Sequence, residues 1–122
     1  MIQLPTAGQT STPETPATTQ CSRMELTAAG IKAGWQVEQM PEARLMGNLI
    51  NTPDGKLVLL NGAGSGTAGY FTVVNKQTGG YSSADNPTKT PYLYDPDAPA
   101  GQRWISLGTQ SSIARMYHST AS

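Results

Sequence analysis

Two apolar runs flank a five-residue polar insert, Thr52 to Lys56, and this pattern limits the fold more than any other feature of the chain. Leu45 to Asn51 is apolar-rich, Thr52-Pro53-Asp54-Gly55 follows, and Leu57-Val58-Leu59-Leu60 resumes. Pro53 presets φ for a turn, and Asp54-Gly55 supplies residues that tolerate positive φ. The segment therefore reads as a β-hairpin. Leu57 to Leu60 is apolar at every position rather than alternating, which predicts a strand covered on both faces. The inner strands of a stacked β-sheet array meet that condition.

The rest of the chain repeats the β signal. Residues 22–27 and 34–40 alternate and read as strands, as do Tyr92-Leu93-Tyr94 and residues 102–107. Thirteen Gly and nine Pro among 122 residues favour a turn-rich all-β chain over a helical bundle. Residues 1–19, rich in Thr and Pro, read as a connection, and residues 20–122 as one partial domain. Residues 61–69 and 75–90 read as loops.

A degenerate internal repeat adds an architecture. Trp35 precedes Ala43-Arg44 much as Trp104 precedes Ala114-Arg115, at a spacing of about 70 residues. Blades of a propeller usually repeat every ~40–50 residues, so this one would be enlarged. The order is hairpin with Asp-Gly, Gly-rich loop, Tyr-Asp-Pro strand, Trp strand, then Arg. It is the pattern of kelch propellers. On this reading residues 44–108 form one full blade, residues 20–40 the outer strands of the blade before, and residues 115–122 the start of the blade after.

Several function classes lose support. Charged residues make up 13% of the chain and the net charge is zero, so no basic stripe exists to bind nucleic acid. No apolar run is long enough to span a bilayer. Gly64-Ser65-Gly66-Thr67-Ala68-Gly69 matches a dinucleotide-binding spacing. That fingerprint requires a helix directly after it, and the β-prone Tyr70-Phe71-Thr72-Val73-Val74 follows instead. Tyr70, Tyr81, Tyr92 and Tyr94 read as packing residues with a polar tip, and Trp35 and Trp104 as packing residues between blades.

Two residues carry chemistry of interest. His118 is the only histidine, and Tyr117 precedes it. Adjacent residues of a strand point to opposite faces, so joint use of the pair as ligands requires a strand end or a twist. Cys21 is the only cysteine, which leaves either a partner elsewhere or a buried small hydrophobe.

Seven segments taken in order resemble the glyoxal oxidases of fungi. They are residues 18–23, 34–40, 42–46, 61–64, 84–87, 93–99 and 114–119, from Thr18-Thr19-Gln20-Cys21-Ser22-Arg23 to Ala114-Arg115-Met116-Tyr117-His118-Ser119. The last is also similar to galactose oxidase. The resemblance implies part of a seven-bladed kelch-type propeller with copper near its axis. Tyr117 would be the axial tyrosine ligand and catalytic proton acceptor, and His118 one of two histidine ligands. A tyrosine cross-linked to cysteine, which stores a radical, and the second histidine would lie outside this segment. The implied reaction is oxidation of small aldehydes such as methylglyoxal to acids, with O2 reduced to H2O2. It also implies secretion, with a signal peptide outside the segment, and a disulfide partner for Cys21 elsewhere. The segment alone is expected to be inactive. The competing classes are a non-catalytic kelch-type binding module and a glycan-binding surface domain.

Overall fold

The structure, a computed structural model, describes residues 1–4, 14–69, 83–117 and 119–121. In chain order its elements are β1 (Ile2–Gln3), β2 (Gln20–Arg23), α1 (Ala28–Ala33), β3 (Gln36–Gln39), β4 (Asn48–Asn51), β5 (Leu57–Leu60), β6 (Ala63–Gly66), β7 (Ala84–Pro87), β8 (Tyr92–Tyr94) and β9 (Trp104–Ser106). They form a three-stranded sheet β1-β2-β3, a four-stranded sheet β4-β5-β8-β9 and the pair β6-β7. Every pairing is antiparallel. The expected all-β fold is observed, and the four-stranded sheet falls within residues 44–108.

The hairpin between β4 and β5 forms where the sequence predicts it. Gly55 N–H donates to the Thr52 carbonyl at 3.0 Å, and Thr52 N–H to the Lys56 carbonyl at 2.9 Å. Only Gly55 takes positive φ, at 81°, and Asp54 does not. A turn closed by one left-handed glycine is the bulged hairpin type rather than a two-residue primed turn.

Register decides what the apolar run does. Ile50, Val58, Leu93 and Ile105 form one row across all four strands of the larger sheet. Leu49 and Leu59 lie on the opposite face, as do Tyr94 and Trp104. That second face packs on the three-stranded sheet, where Cys21, Met40 and Leu59 form a core joined by Leu4, Leu49 and Trp104. Leu59 is 1% exposed, and burial of such a side chain contributes about 1.5–3 kcal/mol. Tyr94 and Trp104 meet edge to face at 4.7 Å. The two sheets are also clasped by charge. Glu38 of β3 accepts a hydrogen bond from the Tyr94 hydroxyl at 3.0 Å and pairs with Arg103.

Several local expectations give way. Residues 63–66, expected as part of a loop, are a strand, and so are residues 84–87. Glycine makes this pairing possible: a Cβ at Gly66 would sit 2.0 Å from the Ser83 carbonyl oxygen. The short helix was not expected. Thr27 caps it by accepting from Gly30 N–H at 3.0 Å, and Gly34 ends it at φ 79°. Trp104 is packed as expected, whereas Trp35 is 44% exposed. Tyr70 to Val74 and Tyr81 lie outside the described residues.

Candidate functional site

The segment that carries Tyr117 and His118 is attached to the fold at both ends. On one side, the Arg115 carbonyl accepts from Gly62 N–H at 2.8 Å. Met116 packs on a second core cluster of Leu45, Ala63 and Ala84. On the other side, Asn48 Nδ2 donates to the Ser119 carbonyl at 3.3 Å, and Ser119 Oγ donates to Asn48 Oδ1 at 3.2 Å. Tyr117 lies between these attachments and is half-buried. His118 lies outside the described residues. Residues 115–117 and 119–121 form no strand, so strict alternation of side chains does not apply to this stretch.

The attachment points are themselves built from sequence. Asn61 and Gly62 turn the chain out of β5 with φ of 59° and 97°. Asparagine tolerates the left-handed region, and Gly62 must be glycine for a second reason. A Cβ there would lie 2.5 Å from the Leu45 carbonyl oxygen. The Asn61 side chain donates to Asn48 Oδ1 at 2.9 Å. Its carbonyl accepts from Arg44 Nη1 at 3.0 Å and from Thr88 Oγ1 at 2.8 Å.

Arg44 anchors this corner. Its side chain is 0% exposed. Nη2 donates to the Thr90 carbonyl at 2.6 Å and to Glu42 at 2.9 Å, and the guanidinium lies 5.7 Å from the Tyr92 ring centre. Burial lowers its pKa, and Glu42 opposes that shift. Its Nε has no acceptor among the described residues. Three segments singled out in the sequence (residues 42–46, 61–64 and 114–119) thus meet at one place. Asn48 was not singled out. The signal it offers in the sequence is an amide set just before the apolar pair Leu49-Ile50.

Cys21 belongs to a different place, the core between the two larger sheets. Its thiol is pushed up to about 11, first by burial and then by Glu38, with the Trp104 indole acting weakly in the other direction. The indole Nε1 makes no hydrogen bond among the described residues, so burial dominates the shift. A thiol held protonated in this way is neither a nucleophile nor a ready ligand. Among the described residues no cluster of three or more His, Cys, Asp or Glu could hold a metal ion. The imidazole of the sequence-adjacent Tyr117-His118 pair is a donor type that Zn, Cu, Fe and Ni all accept.

Residues 5–122 match the Glyoxal oxidase N-terminus family. The chain is 36% identical over 108 residues to the aldehyde oxidase GLOX of Vitis pseudoreticulata, covering 88% of this chain and 18% of that protein. It is 42% identical over 105 residues to Art an 7 of Artemisia annua, covering 85% and 15%. With the aldehyde oxidase GLOX1 of Arabidopsis thaliana it shares 35% over 101 residues, covering 83% and 14%. The chain therefore spans less than a fifth of the length of these relatives. No solved structure matches. With nearly its whole length matched, and with antiparallel sheets of the kind a propeller domain requires, this chain belongs to the glyoxal oxidase family.

Proposed function

We propose that this chain is a segment of a copper radical oxidase that oxidises small aldehydes, and that it supplies two copper ligands, Tyr117 and His118. One observation carries the reading. The six residues that resemble the family's ligand segment are fastened on both sides of the Tyr-His pair. A ligand pair has to be held in this way, because metal sites tolerate displacements of only about 0.5 Å.

The roles follow from residue chemistry. The His118 imidazole would hold the metal through a neutral nitrogen. The Tyr117 phenolate oxygen would be both a ligand and the acceptor of a substrate proton. Copper, when bound, supplies exchange of one electron, and a cysteine-linked tyrosine outside this segment would supply the other. The balance is that an aldehyde hydrate loses two electrons and two protons to O2, giving a carboxylic acid and H2O2. The substrate-bearing site would lie near the axis of a seven-bladed kelch-type propeller in a secreted protein.

The test is peroxide release from methylglyoxal by the copper-loaded full-length protein that contains this segment. Tyr117→Phe and His118→Ala are each expected to lower turnover by at least ~100-fold, the scale of losing a group used in the transition state. The isolated 122 residues are expected to show none. Full activity in the double variant would remove the ligand assignment and leave a non-catalytic binding module as the better reading. Turnover by the isolated chain would remove the claim that the site is incomplete.

A further inference from the structure

We infer that Asn48 is a positioning residue, which fixes the end of the Tyr117-bearing segment by holding Ser119 through two hydrogen bonds; its relevance to copper rests on the reading above. Asn48 and Ser119 are 71 residues apart in sequence and exchange two hydrogen bonds. The amide is the group this task needs. It must donate to the Ser119 carbonyl and accept from the Ser119 hydroxyl at once, and neither a carboxylate nor an apolar side chain does both.

The amide is held in turn. Asn61 Nδ2 donates to the same Oδ1 at 2.9 Å, which fixes which end of the Asn48 amide faces the hydroxyl. Asn61 is itself locked through its carbonyl by Arg44 and Thr88. Asn48 sits at the head of β4, where the Asn48↔Leu60 pair ties it to β5. A continuous path thus runs from the buried Arg44 through Asn61 and Asn48 to Ser119. Arg115 and Met116 attach the segment before the Tyr-His pair, and Asn48 attaches it after the pair, at Ser119. Groups that orient metal ligands in this way typically contribute about 10–100-fold to metal affinity.

The experiment uses the full-length protein that contains this segment, with Cu(II) as the probe. Wild type, Asn48→Ala and the double variant Tyr117→Phe/His118→Ala are compared by Cu(II) titration, by electron paramagnetic resonance and by amide hydrogen exchange. Gly55→Ala serves as a control, since the hairpin tip has nothing within 4 Å of the added Cβ and lies away from the segment. Asn48→Ala is expected to weaken Cu(II) binding by ~10–100-fold and to alter the copper spectrum. Amides of residues 117 and 119–121 should exchange faster, while β4 and β5 stay protected. Gly55→Ala should change neither copper binding nor that exchange. Wild-type affinity, spectrum and exchange in Asn48→Ala would overturn the inference. If wild type binds Cu(II) no more tightly than the double variant, the ligand reading fails. Asn48 is then judged on exchange alone: faster exchange supports the holding role and unchanged exchange overturns it.

Discussion

At the scale of single residues, Arg44 shows how a buried charge is made tolerable. It has no exposed side-chain surface, and its partners are two carbonyls, one carboxylate and the face of an aromatic ring. Such a group gives little net stability over a well-packed apolar side chain, but removing one side of the arrangement strands the other. Arg44→Met leaves the Thr90 carbonyl and Glu42 without this partner. Arg44→Lys keeps the charge but not the fork that reaches three acceptors. Both are expected to lower unfolding stability by about 2–4 kcal/mol in urea denaturation. A lysine variant as stable as wild type would show that charge alone, not geometry, is what the corner needs.

At the scale of elements, two glycines next to β5 do different work. Gly55 has positive φ but open space around its Cβ position. Gly62 has positive φ, and its Cβ position is blocked by backbone at 2.5 Å. Gly55→Ala is therefore expected to cost about 1 kcal/mol, the conformational term alone. Gly62→Ala should cost clearly more, about 2–4 kcal/mol, because backbone has to move. It should also loosen Arg115, whose carbonyl accepts the Gly62 N–H. Paired chemical-denaturation curves of the two variants measure the difference. Equal costs would show that the Asn61-Gly62 corner relaxes freely.

At the scale of the whole molecule, the contact between the two larger sheets is expected to be sensitive to alkali. Cys21, ordinarily near 9.0, is raised to about 11 by burial and then by Glu38. Tyr94, ordinarily near 10.0, is raised to about 12 by burial and by its hydrogen bond to Glu38. Both groups keep their protons longer in the folded chain than in the unfolded one. Their contribution is complete below about pH 9 and is lost as pH rises through 11 and 12. The melting temperature should accordingly hold near neutral pH and fall steadily from about pH 9 upward, and Cys21→Ala should fall less steeply between 9 and 11. A melting temperature independent of pH from 9 to 12 would contradict the buried clasp. The row Ile50, Val58, Leu93, Ile105 lies on the other side of the larger sheet, and Ile105 is 46% exposed.

Local chemistry determined the β character of this chain without tertiary help. Pro53 and Gly55 encode a turn, and the flanking apolar runs encode its strands, because turn geometry and hydrophobic patterning act over a few residues. The resemblance also drew attention to the three segments that meet around Arg44, and Cys21, whose setting the sequence left open, lies buried in the core between the two larger sheets. Other features depend on what lies opposite. Residues 63–66 look like a flexible loop by composition, yet pair as a strand because Ala84–Pro87 comes close enough to be met only by small residues. Asn48 looks like an interruption in an apolar run until Ser119, 71 residues away, supplies both a carbonyl and a hydroxyl for its amide. Period and turn chemistry are written in neighbouring residues. The partner of a half-buried amide, or of a glycine's missing Cβ, is set by which distant backbone the fold brings within hydrogen-bond reach, and only the tertiary structure decides that.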